Sequence, residues 1–113
     1  MTRDDITDRE LLELAAKAAG ATWIDDNWPE DLPGLMLDFG KGTTQWNPLT
    51  NDGDALRLAV RLRMMVSIGK GGFCTADIDE LDASVNECVT PDPLAATRRA
   101  IVRAAAEIER SKT

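Results

Sequence analysis

The chain has no histidine anywhere in its 113 residues, and its only cysteines are Cys74 and Cys88. Without histidine, neither a cysteine nor a serine such as Ser67, Ser84 or Ser111 has the usual base that makes it a nucleophile. Two cysteines alone do not complete an ordinary zinc site. Lysine is scarce too: Lys17, Lys41, Lys70 and Lys112 stand in no motif that would activate a nucleophile. There is no GxxxxGK[ST] phosphate cradle between a strand and a helix. Gly69-Lys70-Gly71-Gly72 falls between two strand-like runs and reads as a hairpin turn. No apolar run approaches the ~20 residues that cross a bilayer, so no membrane partner is expected. The opening MTRDDITDRE has no apolar core behind a basic start, so export is not expected and a cytoplasmic location is. There the two thiols are expected to stay reduced, although on neighbouring strands they could face one another as a disulfide. Internal repeats and low-complexity segments are also missing.

What is present is a globular composition of 43% apolar and 29% charged residues, long enough for one domain over 1–113. The net charge of −7 argues against direct binding to nucleic acid or to an anionic membrane. It fits a basic partner surface, mimicry of a phosphate backbone, or plain solubility. Carboxylates cluster at Asp25-Asp26, Glu30-Asp31, Asp52-Asp54 and Asp77-Asp79-Glu80. Such pairs can bind a divalent ion or do acid–base work. Asp52-Gly53-Asp54 is better explained as a helix start, however, and 77 to 82 lacks the ligand spacing of a calcium loop. No metal, no cofactor and no catalysis are therefore expected.

Three helices are legible. Thr7 with Glu10 forms a capping box for a helix over 7 to 19, with Ile6 and Leu11 as its hydrophobic staple. Leu11, Leu14, Ala15 and Ala18 form its stripe, and Gly20 ends it in a left-handed conformation. Thr50, Asn51 or Asp52 caps a second helix over 53 to 62, with Asp52 and Asp54 favoured by the helix dipole. Leu56, Ala59 and Val60 are its expected core face. Asp92 and Pro93 start a third helix, whose expected stripe is Leu94, Thr97, Ile101, Ala104, Ala105 and Ile108. Arg103 and Glu107 are spaced as an i,i+4 ion pair on its polar side. Residues 21 to 33 read as loop. Gly34 to Gly40 and Thr43 to Trp46 read as a hairpin that Pro48 stops. Met64 to Ile68, Phe73 to Ile78 and Ala83 to Val89 read as an antiparallel meander. The expected class is α+β, with a mostly antiparallel sheet and about three helices. The stretch Trp46 to Leu62, holding an anchor, a turn, a cap and a helix, is the expected centre of the fold.

Two groups of residues are candidates for binding. Arg57, Arg61, Arg98, Arg99 and Arg103 concentrate basic charge on two helices of an acidic chain, and guanidiniums that converge would suit an anion such as a nucleotide phosphate. Trp23 and Trp28, in the polar loop, are either plugs folded onto the core, the preferred reading, or an exposed contact surface.

The segments LLELAAKAAG, WNPLTNDGDALRLAVRL and PLAATRRAIVRAAAEI, in this order, resemble the phage ABA-sandwich domain family of short proteins from tailed phages and prophages. The resemblance covers about half the chain. It implies an α/β/α layered sandwich and a phage setting, and so the cytoplasm of an infected bacterium. It brings no catalytic residues. The resulting expectation is a non-enzymatic accessory protein that binds a host protein or complex, most plausibly an antiviral defence system. A binder that sequesters a nucleotide signal through the arginines is the alternative. A phage structural or housekeeping protein is a third. A homo-oligomer joined through an exposed edge strand is compatible with each.

Overall fold

The last helix carries small apolar residues on two of its faces, and that sets the architecture. A computed structural model describes residues 7–29, 31–32, 34–68, 72–78, 83–89 and 91–112. Within them the order is α1 (Asp8–Ala18), β1 (Trp23–Ile24), β2 (Leu35–Asp38), β3 (Thr43–Trp46), α2 (Asp52–Arg61), β4 (Met65–Ile68), β5 (Phe73–Ile78), β6 (Ala83–Cys88) and α3 (Pro93–Arg110). The class is α+β, with three helices and antiparallel pairing among the described residues, as expected. The strands form two separate sheets, β1-β2-β3 and β4-β5-β6.

α3 lies between two apolar clusters. Ala96, Ala100 and Ala104, one turn apart, pack on Cys74, Ala76, Ile78 and Val85 of the second sheet. Ile101, Val102, Ala105 and Ala106 face α1, α2 and the first sheet. Alanine brings the helix close to a sheet at no cost in helix propensity. The chain is therefore organised around α3, not around Trp46 to Leu62. Of the expected stripe on α3, Ile101, Ala104 and Ala105 are buried and Ile108 packs on the second cluster, and only its first turn departs. Leu94 is exposed and Thr97 is half-buried, its hydroxyl donating to the Pro93 carbonyl at 2.8 Å.

The caps form as the sequence requires. Thr7 Oγ1 accepts from the Glu10 amide at 3.1 Å, and Glu10 accepts from the Thr7 amide at 3.0 Å. The staple residue Ile6 lies outside the described residues. Leu12 and Ala16 join Leu11 and Ala15 as the buried face of α1, while Leu14 and Ala18 are half-buried. Asn51 caps α2 by accepting from the Asp54 amide at 2.8 Å. Asp92 caps α3.

α1 and α2 end alike. In α1 the Gly20 amide donates to the Lys17 carbonyl and that of Ala21 to Ala16, with Gly20 at φ +91°. In α2 the Arg63 amide donates to Val60 and that of Met64 to Ala59, with Arg63 at φ +56°. Both are Schellman motifs, but one puts a side chain where glycine is usual.

β2 and β3 form the expected hairpin, in register Leu35↔Trp46 and Leu37↔Thr44. Leu35, Leu37 and Trp46 of this hairpin are buried. Gly34 enters it at φ +78°, where a Cβ would collide with the Trp46 carbonyl and sit 2.7 Å from Asn47 Cβ. The expected loop over 21 to 33 contains a short strand: β1 pairs Trp23 with Asp38 and Ile24 with Leu37. Two residues are too few to leave a periodic signal.

The meander forms as expected, with β4 and β6 flanking β5. On β5, Cys74, Ala76 and Ile78 point to α3. Cys74 is buried and Cys88 exposed, and the two are not joined in a disulfide; Cys88 pairs in register with Phe73 and Cys74 with Glu87. The expected turn at Gly69, Lys70 and Gly71 and the acidic turn over 79 to 82 lie outside the described residues.

Candidate functional site

α2 shows two apolar stripes with the same spacing, and only one is buried. Ala55, Leu58 and Ala59 face the core, with Leu62 packed beside them. Leu56 is 64% exposed and Val60 68%. The expected core face was therefore misplaced by about one residue, or ~100° of helix. The sets 55/58/59/62 and 56/59/60/63 both step i, i+3, i+4, i+7 and share Ala59, so spacing alone does not separate them; the difference lies at the last position, Leu62 in the buried set and exposed Arg63 in the other.

The exposed stripe walls a groove of about 640 Å³ between α2 and β3. Its floor is Trp46, Leu58 and Phe39. The Phe39 and Trp46 rings meet edge to face, with centroids 5.7 Å apart. Lys41, Arg57 and Arg61 stand along the groove, and Asp54 is its acidic lining residue among those described. Asp54 is already engaged: it accepts from the Asn47 amide at 3.0 Å and from Arg57 Nη2 at 2.7 Å. Lys41 and Arg61 therefore leave the groove with positive charge in a chain of net charge −7.

The five candidate arginines do not converge on one point. Arg57 reaches back to Asp54 with a largely exposed side chain. Arg61 lies over the Phe39 ring, 5.4 Å from its centroid, and its Nε donates to the Ala19 carbonyl at the end of α1. These two are the pair that the groove brings together. Arg98 is mostly buried and ties α3 to the start of α2, donating to the Leu49 carbonyl at 2.8 Å and to Asp52 at 2.6 Å. Arg99 pairs with Asp8 at 3.0 Å, and Arg103 pairs with Glu87. The expected partner of Arg103, Glu107, pairs instead with Arg110 at 3.3 Å. A carboxylate on β6 outcompeted one on the same helix because the packing of α3 on the sheet presents it directly.

The two tryptophans differ in exposure. Trp23 is 46% exposed and borders a smaller depression with Glu13, Lys17 and Asp26. Trp28 is half-buried, and its carbonyl accepts from Arg9 Nη1 at 2.8 Å. Its indole Nε1 is buried with no hydrogen-bond partner among the described residues.

Among the described residues, Glu10 is the group whose proton affinity clearly moves. The Thr7 backbone amide, then the Thr7 hydroxyl, hold its carboxyl below the ordinary glutamate range. This belongs to the cap of α1, not to a reactive centre. Among the described residues no cluster of three or more acidic or cysteine side chains could hold a metal ion. No described helix is long and apolar enough to cross a membrane.

Sequence reasoning reached Arg57 and Arg61 but missed Leu56 and Val60 as surface. The available signal was a surplus: α2 has more apolar residues than one buried face of ten residues can hold. Comparison of the chain with family models, with curated proteins and with solved structures finds no match in any of the three.

Proposed function

We propose that this protein is a non-enzymatic binding protein that engages another protein through the groove between α2 and β3. The observation that carries this reading is the pair Leu56 and Val60. They are large, aliphatic, one helical turn apart and more than half exposed on a helix that already has a buried face. An apolar patch held beside a cationic rim is what an interface core with a polar border requires. The chemistry available in the chain agrees with a binding role, since no histidine exists to serve a nucleophile.

The three segments that resemble phage ABA-sandwich proteins support a bacterial host component, part of an antiviral defence system, as the target. The nucleotide alternative has less support, because Arg98, Arg99 and Arg103 are each committed to other parts of the fold.

The test is capture from a bacterial lysate by the full chain and by the double variant Leu56→Asp/Val60→Asp, with both shown to fold equally. A host protein retained near one-to-one by the wild type and lost by the variant is the expected result. Equal retention by both, or retention by neither, would reject the reading.

A further inference from the structure

The groove also says what kind of segment it takes. We infer that it receives an acidic, amphipathic stretch of the partner's chain, with aliphatic side chains seated against Leu56 and Val60 and carboxylates facing Lys41, Arg57 and Arg61. This rests on the proposed protein-binding role and specifies the chemistry of the partner.

Charge is the first argument. Over the whole chain acidic residues exceed basic ones by 20 to 13. Along this groove three cations stand against Asp54, and Asp54 is already held by Arg57 and the Asn47 amide. Arg57 makes that bond with a side chain 73% exposed, so its remaining guanidinium donors stay open to water and to a ligand. Arg61 is fixed over Phe39 with its Nε on the Ala19 carbonyl, so its charge is positioned beforehand. A basic segment would meet this rim with like charge, whereas an acidic one is drawn in and oriented.

Shape is the second argument. A small ligand is usually enclosed over most of its surface by its pocket. Here Leu56 and Val60 lie four residues apart, about 6 Å along the helix, on an open wall. Two side chains at that separation match successive anchors of a peptide, as in the groove-binding modes of peptide recognition. The aromatic floor of Phe39 and Trp46 is held edge to face, which limits the rearrangement needed on binding.

The experiment uses the full chain and three fluorescein-labelled 14-residue peptides, read by anisotropy in low salt. The first has two leucines four residues apart among glutamates. The second keeps the leucines among lysines. The third keeps the glutamates and replaces the leucines with serine. The first is expected to bind at least tenfold more tightly than either of the others. Lys41→Glu/Arg57→Glu is expected to weaken it at least tenfold, and Leu56→Asp to weaken it as much. Arg61 is left intact because it also caps α1. Equal or tighter binding of the lysine peptide, or no effect of the charge reversals, would overturn the inference. So would no detectable binding of the glutamate peptide at millimolar concentration. If a host protein is still captured through Leu56 and Val60 in that event, the protein-binding role stands and only the acidic segment is wrong.

Discussion

At the scale of single residues, Leu56 and Leu58 give the sharpest contrast. They are two positions apart on one helix, yet Leu58 is sealed in the core and Leu56 faces the groove. Leu58→Ala should cost about 2–5 kcal/mol, because a cavity replaces packed side chain. Leu56→Ala should stay within about 0.5 kcal/mol, as exposed substitutions do. Urea denaturation of the two variants checks both, and equal losses would mean that the helix is phased the other way. Arg98 and Arg57 make a second pair. Arg98→Ala strands the Leu49 carbonyl and should cost about 1–3 kcal/mol. Arg57→Ala removes an exposed i,i+3 ion pair, which is generally worth under about 1 kcal/mol. Backbone conformation supplies a third contrast. Gly34→Ala meets the Trp46 carbonyl at φ +78° and should destabilise by more than about 1 kcal/mol. Arg63→Gly, at φ +56° and exposed, should stabilise by about 1 kcal/mol by relieving a left-handed side chain. Thermal unfolding with opposite signs for these two would support the cap geometry.

At the scale of elements, the parts written in local sequence were readable and the parts set by packing were not. The Thr7–Glu10 box, the Asp92–Pro93 start and the glycine-bounded hairpin are all decided within four or five residues. The stripe of α2 was ambiguous because two faces share one spacing. α3 was harder still: alanines on two faces leave no periodicity to choose between them, and the helix uses both. Asp52, Asp8 and Glu87 bond arginines far along the chain, so the fate of Arg98, Arg99 and Arg103 depended on contacts that no local rule contains. The close fit of α3 to the second sheet is testable. Ala100→Leu inserts volume between α3 and that sheet and should cost about 1–3 kcal/mol. The α1 cap adds a pH dependence. Because Glu10 binds its proton less readily in the folded chain, its bonds contribute while it is ionised, above the ordinary glutamate range. They are lost as pH falls through the lowered value. The protection of first-turn amides in α1, measured against their intrinsic exchange rate at each pH, should therefore fall on acidification, and Glu10→Gln should remove the part of that change due to this carboxyl.

At the scale of the molecule, the basic residues divide into two uses. Arg98, Arg99 and Arg103 hold α3 to α2, α1 and β6. Lys41, Arg57 and Arg61 stand along the groove. The sequence displayed the arginines without this division, and an anion site shared by all five followed naturally from reading them together. Packing separates them and leaves a cationic rim beside an apolar wall. The radius of gyration, 13.5 Å, matches the roughly 13 Å of a compact chain this long. A binding surface on such a chain should leave a local footprint. Where that footprint falls on the captured complex, at the α2–β3 groove or elsewhere, is read by amide hydrogen exchange. Added protection confined to 39–46 and 54–62 is the predicted result. Protection centred on β4, β5 and β6, with that groove exchanging as in the free protein, would contradict the account.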